Sequence, residues 1–150
     1  MKIEEELKMK KFASAKARAE LNVIFTGAWL SDRFDQLLKP FGISEQQYNV
    51  LRILRGQKGK PANLFTIQER MVHRMSNATR LVEKLRLKGY VERKICKENR
   101  RKIDVTITQK GLDLIAEIQP LSQASNKDLY NRMTKEEAST LSDILDRIRG

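Results

Sequence analysis

This sequence predicts a mainly α-helical fold with one small β-hairpin, and three observations support that. Apolar residues recur at helical spacing over most of the chain. Alternation with a period of two is confined to one short stretch near residue 105. Of the 150 residues, 40% are hydrophobic, 6% aromatic and 33% charged. That balance suits helices with long solvated faces, arranged as one compact domain or two tightly joined lobes.

Taken in order, residues 3–38 contain no proline and only Gly27, and Phe12, Leu21, Ile24, Phe25, Ala28 and Trp29 fall on a helical stripe. The spacing predicts one long helix, straight or bent, from Ile3 to Leu38. A domain this small cannot cover it alone, so a further helical surface from this chain or a partner must do so. Lys39-Pro40-Phe41-Gly42 ends it, because the residue before proline resists helix and glycine permits a turn. Ser44 and Gln47 form a capping box for a helix burying Tyr48, Leu51, Ile53 and Leu54, with Gly56 at its stop.

After the linker Gln57–Pro61, Thr66 and Glu69 read as a second capping box opening a short helix, and Met71–Met75 as a turn. Ser76 is placed to cap the next helix, in which Ala78, Leu81, Val82 and Leu85 share one face; Lys88-Gly89 closes it. Tyr90–Ile95 and Arg101–Thr108 read as strands, with Ile103, Val105 and Ile107 alternating with polar residues. Thr108 can cap a helix through Leu112, Ile115 and Ile118, kinked or broken at Pro120. Residues 121–133 are polar and only weakly helical in pattern. Thr134 and Glu137 form a third capping box ahead of the stripe Leu141, Ile144, Leu145 and Ile148.

The formal charge of +11 is unevenly spread. Residues 66–110 hold thirteen basic and five acidic side chains, an excess of eight, whereas residues 111–150 hold five and seven. A positive field concentrated in under a third of the chain is the footprint of a nucleic-acid binder. No apolar run is long enough to span a bilayer. The charged start MKIEEELKMKK lacks the apolar core of a signal peptide, and the single Cys96 cannot close an internal disulfide. A cytoplasmic protein with no membrane association is expected.

Packing the apolar stripe of the 76–88 helix inward leaves Asn77, Thr79, Arg80, Glu83 and Lys84 outside. Asn and Arg are the side chains whose donors and acceptors match adenine and guanine edges in the major groove. Thr79 can bond a phosphate, and the Ser76 end offers free backbone N–H groups. The turn Lys97-Glu98-Asn99-Arg100-Arg101-Lys102 is a second cationic probe, suited to the electronegative minor groove. Taken singly, each is also what a solvated surface helix or charged turn looks like; the combination favours double-stranded DNA as the partner. The candidate DNA-binding residues are Ser76, Asn77, Thr79, Arg80, Lys84, Lys97, Asn99, Arg100, Arg101 and Lys102.

The helix pair, Arg80-Leu81-Val82-Glu83-Lys84-Leu85, Lys88-Gly89-Tyr90-Val91-Glu92-Arg93, and the closing Val105-Thr106-Ile107-Thr108 with Lys110-Gly111 resemble the winged helix-turn-helix of the MarR family. In that family the wing usually reads Asp-x-Arg. Here Asn99-Arg100-Arg101 keeps the arginine and replaces the aspartate by a neutral amide. The resemblance implies one MarR-type domain over residues 1–150, with a winged DNA-binding lobe at 42–108 and a helical dimerisation lobe from 1–41 and 109–150. It also implies a homodimeric transcriptional regulator, often a repressor released by a small-molecule effector bound between the lobes. Trp29, Phe34, Phe41 and Tyr48 are the candidate ligand residues; aromatic side chains at such spacing also serve simply as core.

Some relatives sense peroxide through a cysteine in the first helix, where this chain has none; Cys96 instead begins the wing. His73 is the only histidine, with no second His or Cys at ligand spacing, so neither a metal nor a cofactor is expected. No Ser-His-Asp signature, Gly-rich phosphate loop or HExxH motif points to an enzyme. Two rival readings use the same charge. A non-specific architectural nucleic-acid binder would hold random duplex equally well, and a winged-helix protein-interaction module would not bind DNA at moderate salt.

Overall fold

The computed structural model describes Met1–Gly150 as seven α-helices and a three-stranded antiparallel sheet. The helices are α1 (Ile3–Glu6), α2 (Ala15–Leu38), α3 (Glu45–Gly56), α4 (Leu64–Arg70), α5 (Ala78–Leu87), α6 (Gln109–Tyr130) and α7 (Lys135–Arg149). The strands are β1 (Ala62–Asn63), β2 (Val91–Ile95) and β3 (Ile103–Ile107), in the order β1-β3-β2. Strand pairing sets Val91 opposite Ile107 and Ile95 opposite Ile103, while Ala62 lies opposite Val105. No helix is long and apolar enough to cross a membrane.

A core of 17 buried residues holds these elements together. Val50, Leu51 and Leu54 of α3 meet Ile67 of α4, Val82 and Leu85 of α5, Val91 and Val105 of the sheet, and Leu114, Ile115 and Ile118 of α6. Helix α2 adds only Leu38 at its far end, and α7 adds nothing. The core therefore sits under the winged lobe, and the rest of the chain is a helical frame around it.

The helix starts follow side-chain capping, with corrections to the expected pattern. Ser44 and Gln47 cap each other's backbone N–H groups at 3.2 and 2.9 Å, and Thr134 and Glu137 do so at 3.1 and 2.9 Å. The box expected at Thr66 is absent. Asn63 caps α4 instead, accepting from Thr66 N at 2.8 Å, because Ala62-Asn63 pairs with β3 and the helix starts directly from that strand. Nor does Ser76 cap α5: Asn77 does, accepting from Arg80 N at 3.0 Å.

The single helix expected over residues 3–38 is two. Lys8 takes a left-handed conformation (φ 51°), and Ser14 starts α2 afresh by accepting from Ala17 N at 3.1 Å. Arg18 ties α1 back to α2 through Glu4 at 2.5 Å. Helix α6, by contrast, runs unbroken through Pro120. Only one backbone donor is lost there, and the helix is held on both sides of it. Arg55 donates to Gln119 at 2.9 Å, while Arg33 donates to the Ser125 carbonyl and, at 3.1 Å, to its hydroxyl. Tertiary anchoring outweighs the local breaker.

Two glycines are dictated by their surroundings. Gly89 (φ 78°) ends α5 in a Schellman motif, with Gly89 N–H on Arg86 O at 2.9 Å and Tyr90 N–H on Leu85 O at 3.0 Å. Gly111 lies in the first turn of α6, where Thr108 caps Gly111 N–H at 3.2 Å and donates its hydroxyl to Gly89 O at 2.7 Å. A Cβ on Gly111 would sit 2.4 Å from Tyr90 O and 2.7 Å from the Ile107 side chain. Gly111→Ala is therefore expected to destabilise the fold by about 1–3 kcal/mol, measured by urea denaturation. An unchanged midpoint would mean that α6 can move off the sheet freely.

Candidate nucleic-acid interface

Ala78, Val82 and Leu85 face the core from α5. At 100° per residue, that burial turns Thr79, Arg80 and Lys84 to solvent, and all three are exposed. Asn77 is exposed too, but its Oδ1 is engaged in the cap, so only its amide N–H₂ remains free to meet a base or phosphate. Ser76 is half-buried. The acid among these residues, Glu83, is tied down by Arg86 at 2.7 and 3.0 Å and by Arg93 of β2 at 3.3 Å. The Arg86 hydrogen bonds, followed by the nearby positive charges of Arg86 and Arg93, hold its carboxyl below the usual carboxylate range. Its charge is matched, and α5 presents a net positive outer face.

The wing is the loop between β2 and β3, closed by Cys96 N–H donating to Lys102 O at 2.9 Å. Lys97, Asn99, Arg100, Arg101 and Lys102 are all exposed on it, and Cys96 is half-buried at its base. Asn99 shapes the tip: its carbonyl accepts from Lys102 N at 2.9 Å and its Oδ1 from Arg101 N at 3.1 Å. The neutral amide thus fixes the backbone at Arg101 and leaves the guanidinium unpaired.

Side chains that the sequence did not single out hold the turn before α5. Asn49 of α3 accepts from Val72 N at 2.9 Å, and His73 meets Glu45 at 3.3 Å. Gln68 of α4 accepts from Ala78 N at 3.1 Å and donates to the Arg74 carbonyl. The readable signal was polarity out of place. Asn49 stands between Tyr48 and Val50 on α3, and Gln68 follows the core residue Ile67.

A cavity of about 460 Å³ opens between α2, α3, the second half of α6 and this turn. Phe34 and Tyr48 line it, meeting edge-to-face at 5.2 Å. Trp29 and Phe41 do not reach its wall: Trp29 lies under the Arg33 guanidinium at 5.7 Å, and Phe41 packs on the core. Arg33, Arg52 and His73 add positive and polar character to the lining, and Arg33 Nε is buried with no hydrogen-bond partner.

Comparison with known proteins agrees with this geometry. Residues 43–103 match the MarR family model. The transcriptional repressor MprA of Escherichia coli strain K12 is 24% identical over 119 residues, which is 79% of this chain and 68% of MprA. Two solved structures share the fold. A mutant E. coli MarR complexed with operator DNA has a TM-score of 0.72 at 23% identity, covering 85% of this chain and 91% of that one. The organohalide-sensing regulator RdhR, in its 2,4-dichlorophenol-bound form, has a TM-score of 0.80 at 17% identity, covering 91% and 80%. With the three-stranded winged lobe in place and its charge gathered on α5 and the wing, residues 43–103 form a MarR-family domain, and the relatives and structural neighbours that the chain resembles are transcriptional regulators.

Proposed function

We propose that this regulator is a cytoplasmic homodimeric repressor that reads a near-palindromic operator and is released by a small aromatic ligand. The observation that carries the reading is one lobe with two adjacent cationic probes, the outer face of α5 and the arginine-bearing wing tip. Each α5 enters a major groove with Thr79, Arg80 and Lys84 toward the bases and backbone. Each wing sets Arg100 or Arg101 at the flanking minor groove, with Lys97, Asn99 and Lys102 beside it. Two-fold symmetry then calls for half-site centres about one helical turn, roughly 34 Å, apart. Repression follows from occluding a promoter, the role that MprA carries in its name.

The dimer reading rests on what the single chain leaves uncovered. No residue of α7 is buried, and Leu141, Ile144 and Ile148 stand exposed on one stripe, with Val23, Ile24 and Leu30 exposed on α2. A second copy related by a two-fold axis would bury both faces at once. The effector reading rests on the cavity. Glu45, Asn49, Val72 and His73 are at once its lining and the contacts that hold the turn before α5. A ligand that favours a different setting of those contacts shifts the population of DNA-competent dimers. An aromatic body suits Phe34 and Tyr48, and a polar substituent suits Arg33.

Selection of bound DNA from a random duplex pool tests the whole; an inverted repeat is expected, and recovery without a motif would sink it. On the selected site, Arg80→Ala should lose about 1–3 kcal/mol and base preference at one position. Arg101→Ala should instead weaken all duplexes and lower the salt slope by roughly one; equal behaviour of the two variants would erase the distinction between helix and wing.

Ile148 is 69% exposed in one chain, so Ile148→Glu should leave the subunit folded and yield monomers in analytical ultracentrifugation. A persistent dimer would put the seam elsewhere. Ser122→Trp fills the cavity. A phenol or aromatic acid that raises the wild-type Tm should leave this variant unmoved, whereas matching shifts in both proteins would locate the ligand at another site.

A further inference from the structure

We infer that Gln68 is a positioning residue for operator readout: its side-chain amide is the brace that sets the angle of α5 against α4. The inference rests on the DNA-binding role proposed for the winged lobe. Helix α4 is seven residues long and buries only Ile67, so apolar contact gives it little orientational hold on its neighbour. The connection from Met71 to Asn77 is nearly bare of backbone bonds; Met71 N–H reaches Gln68 O at 3.4 Å and Ser76 N–H reaches His73 O at 3.0 Å.

Gln68 spans that gap from both ends of its amide. Oε1 accepts from Ala78 N at 3.1 Å, at the first residue of α5, and Nε2 donates to the carbonyl of Arg74. Because one end must accept and the other must donate, the amide has one correct orientation and cannot satisfy both partners if flipped. Of the backbone donors that open α5, Ala78 N–H is taken by Gln68, Arg80 N–H by the Asn77 cap and Leu81 N–H by Asn77 O at 3.1 Å. Gln68 therefore does for the start of α5 what the sealed stripe Ala78, Val82 and Leu85 does along its length. The stripe fixes rotation about the helix axis, and the glutamine fixes where the exposed Thr79 and Arg80 arrive. It touches no base itself: it acts through α5.

The test compares affinity for the selected operator with affinity for random duplex. Gln68→Met keeps the length and flexibility of the side chain and removes both hydrogen bonds. Operator affinity is expected to fall about tenfold or more while random-duplex affinity and the salt slope hold, because phosphate contacts tolerate a shifted helix and base contacts do not. Gln68→Glu keeps the acceptor for Ala78 N–H and loses the donor. Its added charge repels any duplex alike and cancels in the ratio, but its second oxygen faces the Arg74 carbonyl as acceptor against acceptor, so its operator-to-random ratio should fall below that of wild type. Purely structural damage would lower Tm without moving that ratio.

A ratio unchanged from wild type in Gln68→Met, or in Gln68→Glu, overturns the proposal. Should Gln68→Met fail to fold, the Gln68→Glu ratio and amide exchange in the wild-type protein still decide. Ala78 N–H is expected to be protected like Arg80 N–H, and exchange at the unprotected rate would show that the brace does not exist in solution. A wild type without any operator preference would defeat the functional reading itself, an outcome that the exchange arm separates from loss of the brace.

Discussion

The burial of one narrow stripe on a ten-residue helix is the constraint on which the rest depends. Val82 and Leu85 of α5 are fully enclosed by α3, α4 and the sheet, and Ala78 nearly so. Enclosing a Val or Leu side chain is worth roughly 1.5–3 kcal/mol, and turning the helix over would also push Arg80 and Lys84 into that apolar interior. Exposed ion pairs such as Glu83 with Arg86 contribute far less to stability. The polar face of α5 is thus presented outward by hydrophobic sealing on its opposite side. The capping and bracing side chains then refine where that face begins.

Electrostatics shapes the surface that the core presents. Glu83 carries an acid into the region proposed to face phosphates, and its pairing with Arg86 and Arg93 offsets that charge while linking α5 to β2. The wing has the opposite difficulty. Lys97, Arg100, Arg101 and Lys102 crowd one short loop in which Glu98 is the lone acid. Backbone bonds to Asn99 hold that loop closed without adding negative charge at its tip. An aspartate at this position would make the same Asx-type bond to Arg101 N–H while neutralising part of the field that draws DNA. The neutral amide is coherent with the proposed role of the wing as an unpaired cationic probe.

The sequence made the winged lobe legible because there the local signals agree. The alternation Ile103-Val105-Ile107, the glycine at 89 and the apolar stripe of α5 each point to one structure. It misled where tertiary contacts overrule local ones. Pro120 reads as a kink or a break, and the helix is not broken there because Arg55 and Arg33 anchor α6 on either side. Thr66 reads as a cap but lies inside a helix that starts earlier, since the two-residue strand β1 has too short a pattern to be seen. Of the candidate site residues, the exposed cations followed from periodicity. Asn49 and Gln68 did not, because a hydrogen bond between elements leaves no spacing in the chain. The aromatic candidates divided for the same reason: Phe34 and Tyr48 converge on the cavity from α2 and α3, while Trp29, on the same helix as Phe34, turns away from it.

How unevenly the chain is buried bears on how such a protein could be controlled. Only 20 of 150 residues are buried in one subunit, nearly all of them under the winged lobe, while α7 has none. The reading surface is therefore made rigid locally, whereas the frame that would set the distance between two such surfaces is completed only by a second copy in the proposed dimer. That division separates two requirements. Base contacts need a stiff helix face, and simultaneous engagement of two grooves needs a correct spacing, which contributes to affinity through effective concentration and is lost when geometry forbids it. A ligand in the cavity between α2, α3 and α6 would leave the sealed stripe of α5 in place and act on the second, through the contacts of the turn before α5. It sits at the joint where the stiff lobe meets the frame, against Glu45, Asn49 and His73. Release of DNA then needs no unfolding of the reading head, only a change of angle large enough that the two heads no longer match the pitch of the duplex.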